Sequence, residues 1–416
     1  MTLPSRGRPH DEVLAELRER KAADVRWRDG RTFGLVYDGG PEVEAIGAAA
    51  AGLYLHDNAL NTVAFPSLGS LQSDVVRMTA DLLHGDSEAA GFMTSGGTES
   101  ILMAVLAARE RGRIERGITK PEMVVANSAH AAFHKAGHSF GVQVRSVPVG
   151  ADWRADVAAM ASEITDNTVL IVGSAPQYPQ GVIDPIPDLA ALASECGANF
   201  HTDACMGGFV LPFLERLGYD VAPWDFRVEG VTSISADLHK LGYTPKGASV
   251  ILHRTKALRR YQTFTFDNWL GGFYASPNMM GTRSGAPMAA AWAVLQSLGE
   301  DGYLELTRTM LDARDRMVAA VRATPGLMVL VEPEAQIVCI TAEPDATIDV
   351  FALGTALHEV GGWYFDRQSP PDSLHATVCA ANAAAIDDFV TDLAKAVQRV
   401  GAATARDRST SYSTLE

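Results

Sequence analysis

Short apolar runs rich in β-branched residues alternate with helical segments through the middle of this chain, and this alternation constrains the fold most strongly. The run Thr168–Val172 is apolar and mostly β-branched, which is typical of a strand buried on both faces of a sheet. Similar runs lie at 124–125, 142–149, 199–202, 231–235 and 249–253. Strands that alternate with helices predict an α/β fold with a mainly parallel sheet.

The pattern changes after about residue 287. Two helices are predicted over 287–298 and 302–322, and strands follow near 328–332, 336–341 and 374–379 before a last amphipathic helix. A chain of 416 residues is long enough for two domains. We therefore predict an N-terminal segment over 1–65 that includes a strand at 32–37, a large domain over 66–286, a smaller α+β domain over 287–405 and a disordered tail over 406–416.

Charge and composition exclude several classes of protein. The net charge is −15, whereas proteins that bind nucleic acids usually present a basic surface. No apolar run approaches the ~20 residues of a membrane span, and the N-terminus lacks a hydrophobic signal core, so a cytoplasmic location is expected. The four cysteines form no Cys-x-x-Cys pair and His130, His134 and His138 have no convergent carboxylate, so no metal site is expected.

Three polar motifs stand among the predicted strands and helices. They read Thr94-Ser-Gly-Gly-Thr-Glu-Ser100, His201-Thr-Asp-Ala-Cys-Met-Gly-Gly208 and Ser233-Ile-Ser-Ala-Asp-Leu-His-Lys240. A glycine-rich turn before a helix can cradle a phosphate, a strand-end aspartate can pair with a pyridinium nitrogen, and a lysine can form an imine. These three functions together indicate pyridoxal phosphate.

Each motif also has an ordinary structural interpretation. Most lysines are solvated surface charges, Asp203 could cap a turn, and glycine-rich turns before helices are common. His130 could be a core histidine or could stack on the cofactor, and Tyr274 could belong to a simple turn or act as a general acid. The coincidence of all three motifs favours the cofactor site with Lys240 at its centre.

Several longer segments carry a resemblance to a known family. They are Thr94–Met103, Ser128–Phe133, Gly181–Pro185, Asp225–Val228, Gly230–Lys240, Gly242–Gly247 and Tyr274–Pro277, in family order. On these segments the chain resembles the sphingosine-1-phosphate lyases of the group II pyridoxal-phosphate decarboxylase superfamily.

The resemblance implies a fold-type-I enzyme with a mainly parallel seven-stranded sheet and active sites shared across a homodimer. It implies that Lys240 forms the imine with pyridoxal phosphate, that Asp203 lies under the pyridine nitrogen and that His130 stacks on the ring. It assigns the cofactor phosphate to Gly97, Thr98 and His239.

The resemblance also implies groups on the substrate side, where Tyr37, Lys246 and Tyr274 fit family positions. Asn61 stands where the family has a histidine, and the arginine that the family carries after the position of His375 is missing. We therefore expect a carbon–carbon lyase that cleaves a β-hydroxy amine or β-hydroxy amino acid, phosphorylated or not, by a retro-aldol reaction. An amino-acid decarboxylase, aldol-type bond formation and a non-catalytic cofactor-binding subunit are the alternatives.

Overall fold

The computed structural model describes residues 2–400, 405 and 408–410. In these residues the helices are α1 (His10–Lys21), α2 (Pro41–Leu53), α3 (Pro66–Leu82), α4 (Gly97–Arg116), α5 (Ala132–Phe140), α6 (Val157–Ser162), α7 (Ile186–Glu195), α8 (Leu211–Arg216), α9 (Lys256–Arg259), α10 (Ala286–Arg322), α11 (Val350–Gly361) and α12 (Ile386–Val400). The strands are β1 (Ala90–Thr94), β2 (Glu122–Ala126), β3 (Gln143–Val147), β4 (Thr168–Ser174), β5 (Asn199–Asp203), β6 (Ser233–Ala236), β7 (Ser249–His253), β8 (Phe264–Phe266), β9 (Tyr274–Ser276), β10 (Leu327–Val329), β11 (Ile337–Ala342), β12 (Asp366–Gln368) and β13 (Ser373–Thr377). Within the described ranges we find no helix whose length and apolar character would let it cross a bilayer.

The central sheet has seven strands, as predicted, and their order is β1-β7-β6-β5-β4-β2-β3. Strands β3, β2, β4, β5 and β6 are parallel, whereas β7 is antiparallel to both β6 and β1. Two antiparallel pairings in succession return β1 to the direction of β6. The carboxyl ends of β1, β5 and β6 therefore share one edge of the sheet, where ligands of α/β proteins usually bind.

The sheet is buried because successive side chains of its strands point to opposite faces and both faces are covered. In β4, Leu170 and Val172 pack in a cluster with α4 and α5, while Ile171 between them belongs to the larger cluster on the other face. Every residue of β4 is buried. This explains why the strand is an unbroken apolar run in the sequence.

The long helix α10 links the central sheet to the C-terminal part of the chain. It covers both helices predicted over 287–298 and 302–322, which meet at a kink where Gly299 has a φ of 57°. Beyond it, β10, β11, β13 and β12 form a four-stranded antiparallel sheet. Helices α11 and α12 pack against each other beside this sheet. The C-terminal part therefore has the α+β character that the sequence predicts.

The strand predicted at residues 32–37 is wrong. Only Thr32 makes a β-bridge, with Tyr364, and the backbone then turns because Gly34 and Leu35 have φ values of 141° and 61°. These values lie outside the β region, so the chain cannot continue as a strand. The predicted disorder of residues 406–416 falls mostly outside the described residues.

Candidate active site

A cavity of about 250 Å³ lies at the edge of the sheet where the three polar motifs converge. The start of α4, just after β1, supplies Gly97 and Thr98, the end of β5 supplies Asp203, and the turn after β6 supplies His239 and Lys240. His130, from the segment between β2 and α5, completes this group of predicted residues. Topology thus assembles them, because the carboxyl ends of these strands share one edge.

The turn between β1 and α4 exposes the start of a helix to the cavity. Gly96 at the N-cap position offers no side chain to the first backbone N–H groups of the helix. The carboxylate of Glu99 is buried, and it accepts hydrogen bonds from the backbone N–H groups of Ser95 at 2.7 Å and Met279 at 2.9 Å. Glu99 therefore fixes the backbone of this turn. The backbone N–H groups at the start of α4 can attract an anion such as a phosphate.

The floor of the cavity is close to Gly97. A Cβ atom on this residue would lie 2.7 Å from both Oδ2 of Asp237 and Sγ of Cys205. Real Cβ atoms do not approach other heavy atoms this closely, so a side chain here would have to displace a buried group. The glycine is thus required by close packing beneath the cavity.

Asp203 is fixed at the end of β5 by a hydrogen-bonded chain. Its Oδ1 accepts hydrogen bonds from the hydroxyl of Ser235 at 3.0 Å and from the backbone N–H of Cys205 at 3.1 Å. Because Ser235 donates to Asp203, its oxygen accepts from Nε2 of His201, 3.1 Å away, and Nδ1 of His201 accepts from Ser233. Burial lowers the pKa of His201 to about 4, so the imidazole is neutral. Its single ring proton lies on Nε2, which fixes the direction of the hydrogen bonds from Ser233 to Asp203.

Lys240 is paired with a buried carboxylate. Its Nζ lies 3.0 Å from Oδ2 of Asp237, whose side chain is 1% exposed. Burial alone would raise the pKa of Asp237, but the charges of Lys240 and His239 and the hydrogen bonds from Ser249 and Lys240 together outweigh that effect, and the pKa is lowered. Asp237 therefore stays ionised and holds the lysine at the cavity wall.

Two histidines line the cavity in their neutral form. Burial lowers the pKa of His130, against the opposing charge of Asp203, and Nδ1 of His130 accepts from the backbone N–H of Ala132 at 3.1 Å. Burial lowers the pKa of His239 to about 4, and its Nδ1 accepts from the backbone N–H groups of Gly247 and Ala248 at 3.4 and 3.2 Å. In both neutral rings the proton is therefore on Nε2, where it can be donated to a ligand.

The remaining predicted site residues do not line this cavity. Lys246 contacts the cavity only indirectly, since its Nζ donates to the carbonyl of His239 at 3.0 Å and lies 4.9 Å from the ring centroid of Tyr37. Part of the Lys246 side chain reaches solvent, yet protein atoms crowd its ammonium. This desolvation, together with the charge of Lys240, lowers the pKa of Lys246 to about 8.

Asn61 and Tyr274 lie in other surroundings. The Oδ1 atom of Asn61 accepts from the backbone N–H groups of Val63 and Ala64 at 3.0 and 3.1 Å, so it stabilises a local turn. Tyr274 belongs to the β8–β9 hairpin, where its ring packs edge-on against Trp269 with centroids 6.2 Å apart.

Four residues that help to build the site were not predicted from the sequence. They are Glu99, Cys205, Ser235 and Asp237, of which Cys205 and Asp237 are buried against Gly97. A signal existed for Asp237, because it stands three residues before Lys240 in a turn and can fold back to it. Ser235 carried a weaker signal, since alternate residues of β6 point to the same face as Ser233.

The chain is similar over most of its length to proteins of known family. Residues 1–343 match the pyridoxal-dependent decarboxylase conserved domain. The chain is 42% identical over 400 residues to the sphingosine-1-phosphate lyase of Arabidopsis thaliana, covering 94% of this chain and 72% of that protein. It is 42% identical over 375 residues to sphingosine-1-phosphate lyase 1 of Rattus norvegicus, covering 90% of this chain and 65% of that protein.

Solved structures show the same relationship. A sphingosine-1-phosphate lyase of Burkholderia pseudomallei superposes with a TM-score of 0.91 at 41% identity, over 96% of this chain and 92% of that chain. A glutamate decarboxylase of Lactobacillus brevis superposes with a TM-score of 0.83 at 20% identity, over 96% of this chain and 94% of that chain. The second likeness shows only the shared fold.

Proposed function

Because this chain belongs to the pyridoxal-dependent decarboxylase family, in the branch of the sphingosine-1-phosphate lyases, it is a pyridoxal-phosphate-dependent lyase, and we propose that it cleaves β-hydroxy amines into an aldehyde and a smaller amine. The observation that carries this proposal is the single cavity that joins Lys240, Asp203, His130 and His239 to the start of α4. These groups have the chemistry that the cofactor requires.

The residues present fit pyridoxal phosphate. The uncapped start of α4, with Gly97 and Thr98, and the Nε2–H of His239 would hold its phosphate. Asp203 would pair with its ring nitrogen, His130 would lie on the ring face, and Lys240 would carry the cofactor covalently. When bound, the cofactor draws electrons from the substrate carbon whose bond breaks.

The chain's own groups orient the substrate and move its protons. The ammonium of Lys246, beside Tyr37, is suited to bind an anionic group at neutral pH, since its pKa is about 8. The substrate hydroxyl must lose a proton when the carbon–carbon bond breaks. Neutral His130 can accept this proton at Nδ1 by giving up its bond from Ala132, and the phenols of Tyr37 and Tyr274 are the candidates to donate a proton to the carbon left behind.

We also propose that two chains associate so that each completes the other's site. The β8–β9 hairpin that carries Tyr274 exposes large apolar side chains to solvent in the single chain, namely Phe264, Phe266, Trp269, Leu270 and Phe273. A second copy would cover such a patch, since exposed apolar surface of this kind usually marks an interface. We propose in addition that the chain divides into the segments 1–65, 66–286, 287–405 and 406–416, and that the protein is cytosolic.

Product analysis tests the proposed reaction. The holoenzyme is incubated with a phosphorylated sphingoid base, with unphosphorylated β-hydroxy amino acids and with simple amino acids, and the products are identified by mass spectrometry. An aldehyde that forms with the unmodified protein and not with the Lys240→Ala variant supports the lyase. Carbon dioxide without aldehyde would mean that the protein is a decarboxylase, and an equally active Lys240→Ala variant would overturn the site.

A further inference from the structure

A buried carboxylate lies beside the place where we propose that the cofactor phosphate binds. Glu99 lines the cavity of about 250 Å³ together with Gly97 and Thr98, and it is only 7% exposed. A carboxylate repels a phosphate, and burying it is unfavourable unless it is well paired. The position of Glu99 therefore has a reason other than the binding of an anion.

The two oxygens of Glu99 bind two segments that are far apart in the chain. Oε2 accepts from the backbone N–H of Ser95, in the turn before α4, at 2.7 Å. Oε1 accepts from the backbone N–H of Met279, 180 positions later, at 2.9 Å. A glutamate in the first turn of a helix commonly reaches back to the turn before it, and this accounts for the bond at Oε2 alone. The bond at Oε1 therefore joins a distant segment to the start of α4.

The segment that Glu99 binds follows strand β9, which carries Tyr274. Asn278 in this segment is buried, and its Nδ2 donates to the carbonyl of Met93, in β1, at 2.8 Å. The Oγ of Ser276, the last residue of β9, donates to the carbonyl of Asn278 at 3.0 Å. Together with the bond to Glu99, these contacts fix the segment to the end of β1 and the start of α4.

The two ends of the β8–β9 hairpin are joined to each other at its base. Gln262, just before β8, donates from Nε2 to the carbonyl of Pro277, just after β9, at 2.7 Å. Its Oε1 accepts from Nε2 of His253, in β7, at 2.8 Å, and both side chains are buried. The base of the hairpin is thus fixed, whereas its tip exposes large apolar side chains. The base therefore sets the position of Tyr274, and Glu99 connects this base to the cavity.

The same segment carries a charge opposite to that of Glu99. Arg283 lies four residues beyond Met279, and its side chain is partly buried. Desolvation lowers the pKa of Arg283, and the charge of Glu99 opposes this shift. Its Nη1 also donates to the carbonyl of Gly281 at 3.0 Å. The attraction between the two charges holds the segment at the start of α4, so an uncharged residue at position 99 would not replace Glu99.

We propose that Glu99 is a positioning residue that connects the cofactor's phosphate site to the segment following Tyr274, so that binding of the cofactor also fixes this tyrosine. A phosphate bound at the start of α4 restrains the turn at Ser95, and through Glu99 it restrains Met279 as well. Glu99 acts through these backbone groups and not on the substrate. The inference rests on the proposed cofactor site and on Tyr274 as a candidate proton donor.

Hydrogen–deuterium exchange tests the connection without turnover. The amides of Ser95 and Met279 are followed by peptide mass spectrometry in the apoprotein and in the protein loaded with pyridoxal phosphate. Loading should slow exchange at both amides of the unmodified protein. Glu99→Gln has one acceptor oxygen in place of two, so one of the two N–H groups should exchange about 10- to 150-fold faster. Glu110→Gln, on the same helix, is the matched control and should change neither amide, because its carboxylate pairs with two arginines of α4.

A double-mutant cycle tests whether Glu99 acts through Tyr274. At saturating pyridoxal phosphate, Glu99→Gln should lower kcat for aldehyde formation about 5- to 150-fold. In a Tyr274→Phe background the same substitution should lower kcat less than about twofold, because the group that Glu99 positions is already missing. An equal loss of kcat in both backgrounds would overturn the proposal.

The exchange of the unmodified protein gives a second refutation that needs no variant to fold. A Met279 amide whose exchange does not slow when pyridoxal phosphate is bound would overturn the proposal. Because this readout involves no turnover, failure of the lyase reaction would appear separately, as absence of aldehyde from β-hydroxy amines.

Discussion

Replacing Gly97 by alanine should damage the proposed cofactor site through a single added methyl group. The new Cβ would lie 2.7 Å from Oδ2 of Asp237 and from Sγ of Cys205, both of which are buried. Ordinary carbon contacts lie at about 3.5 to 4.0 Å, so Asp237 would be pushed from its position beside Lys240. Overpacking of this kind costs about 1 to 3 kcal/mol. If that strain falls on the holo state, the cofactor dissociation constant should rise about 5- to 150-fold.

The assay is an equilibrium titration of the apoprotein with pyridoxal phosphate, followed by the visible absorption of the bound cofactor. Gly52→Ala is the matched control, because a Cβ there meets nothing within 4 Å and the residue lies in the last turn of α2. The control should bind the cofactor normally. A Gly97→Ala protein whose cofactor affinity stays within about twofold of the unmodified value would refute the close-packing argument.

Three further predictions concern charge. Asp237→Asn leaves the largely buried Lys240 without its carboxylate and should destabilise the apoprotein by about 3 to 5 kcal/mol. At ~2.1 cal/mol/K per residue over 416 residues, this lowers the melting temperature by about 3 to 6 °C, whereas Asp188→Asn on the exposed surface of α7 should not. The melting temperature should be constant above about pH 6.5 and fall as the pH drops towards 4. The reason is that burial lowers the pKa to about 4 for four histidines that are neutral in the folded protein, namely His201, His239, His253 and His375. A melting temperature that stays constant between about pH 6.5 and pH 4 would contradict this prediction. The KM of a phosphate-bearing substrate should rise above about pH 8 as Lys246 loses its proton, and Lys246→Arg, which stays charged, should remove that rise; an identical pH profile in this variant would exclude Lys246 from anion binding.

Much of the candidate site could be predicted because parallel topology brings residues from separate sequence motifs close together. Asp203 ends β5 and Lys240 follows the neighbouring strand β6, while β1 returns to the same direction through β7. Any polar residue at the carboxyl end of one such strand must therefore lie near the others. This is why Gly97, Thr98, Asp203, His239 and Lys240 line one cavity.

The rest of the site depends on contacts between distant parts of the chain, which local sequence patterns cannot predict. The buried carboxylate of Glu99 accepts a hydrogen bond from the backbone N–H of Met279, 180 positions later, and this contact follows from tertiary packing rather than from the sequence around either residue. The strand expected at 32–37 is wrong because, although its residues favour a strand, positive φ values at Gly34 and Leu35 turn the chain just after Thr32 has bridged to Tyr364. In that segment tertiary packing overrides local propensity.

The central claim is that Lys240 carries pyridoxal phosphate, and the most direct measurement locates the cofactor on the chain. The holoenzyme is treated with borohydride to fix the cofactor on the lysine that holds it, digested and mapped by peptide mass spectrometry. Lys246 is the informative rival, because its Nζ lies 3.0 Å from the carbonyl of His239, next to Lys240 in the chain. The label is expected on the peptide that contains Lys240, at Lys240 itself. A label on Lys246, or none on either residue, would contradict the account.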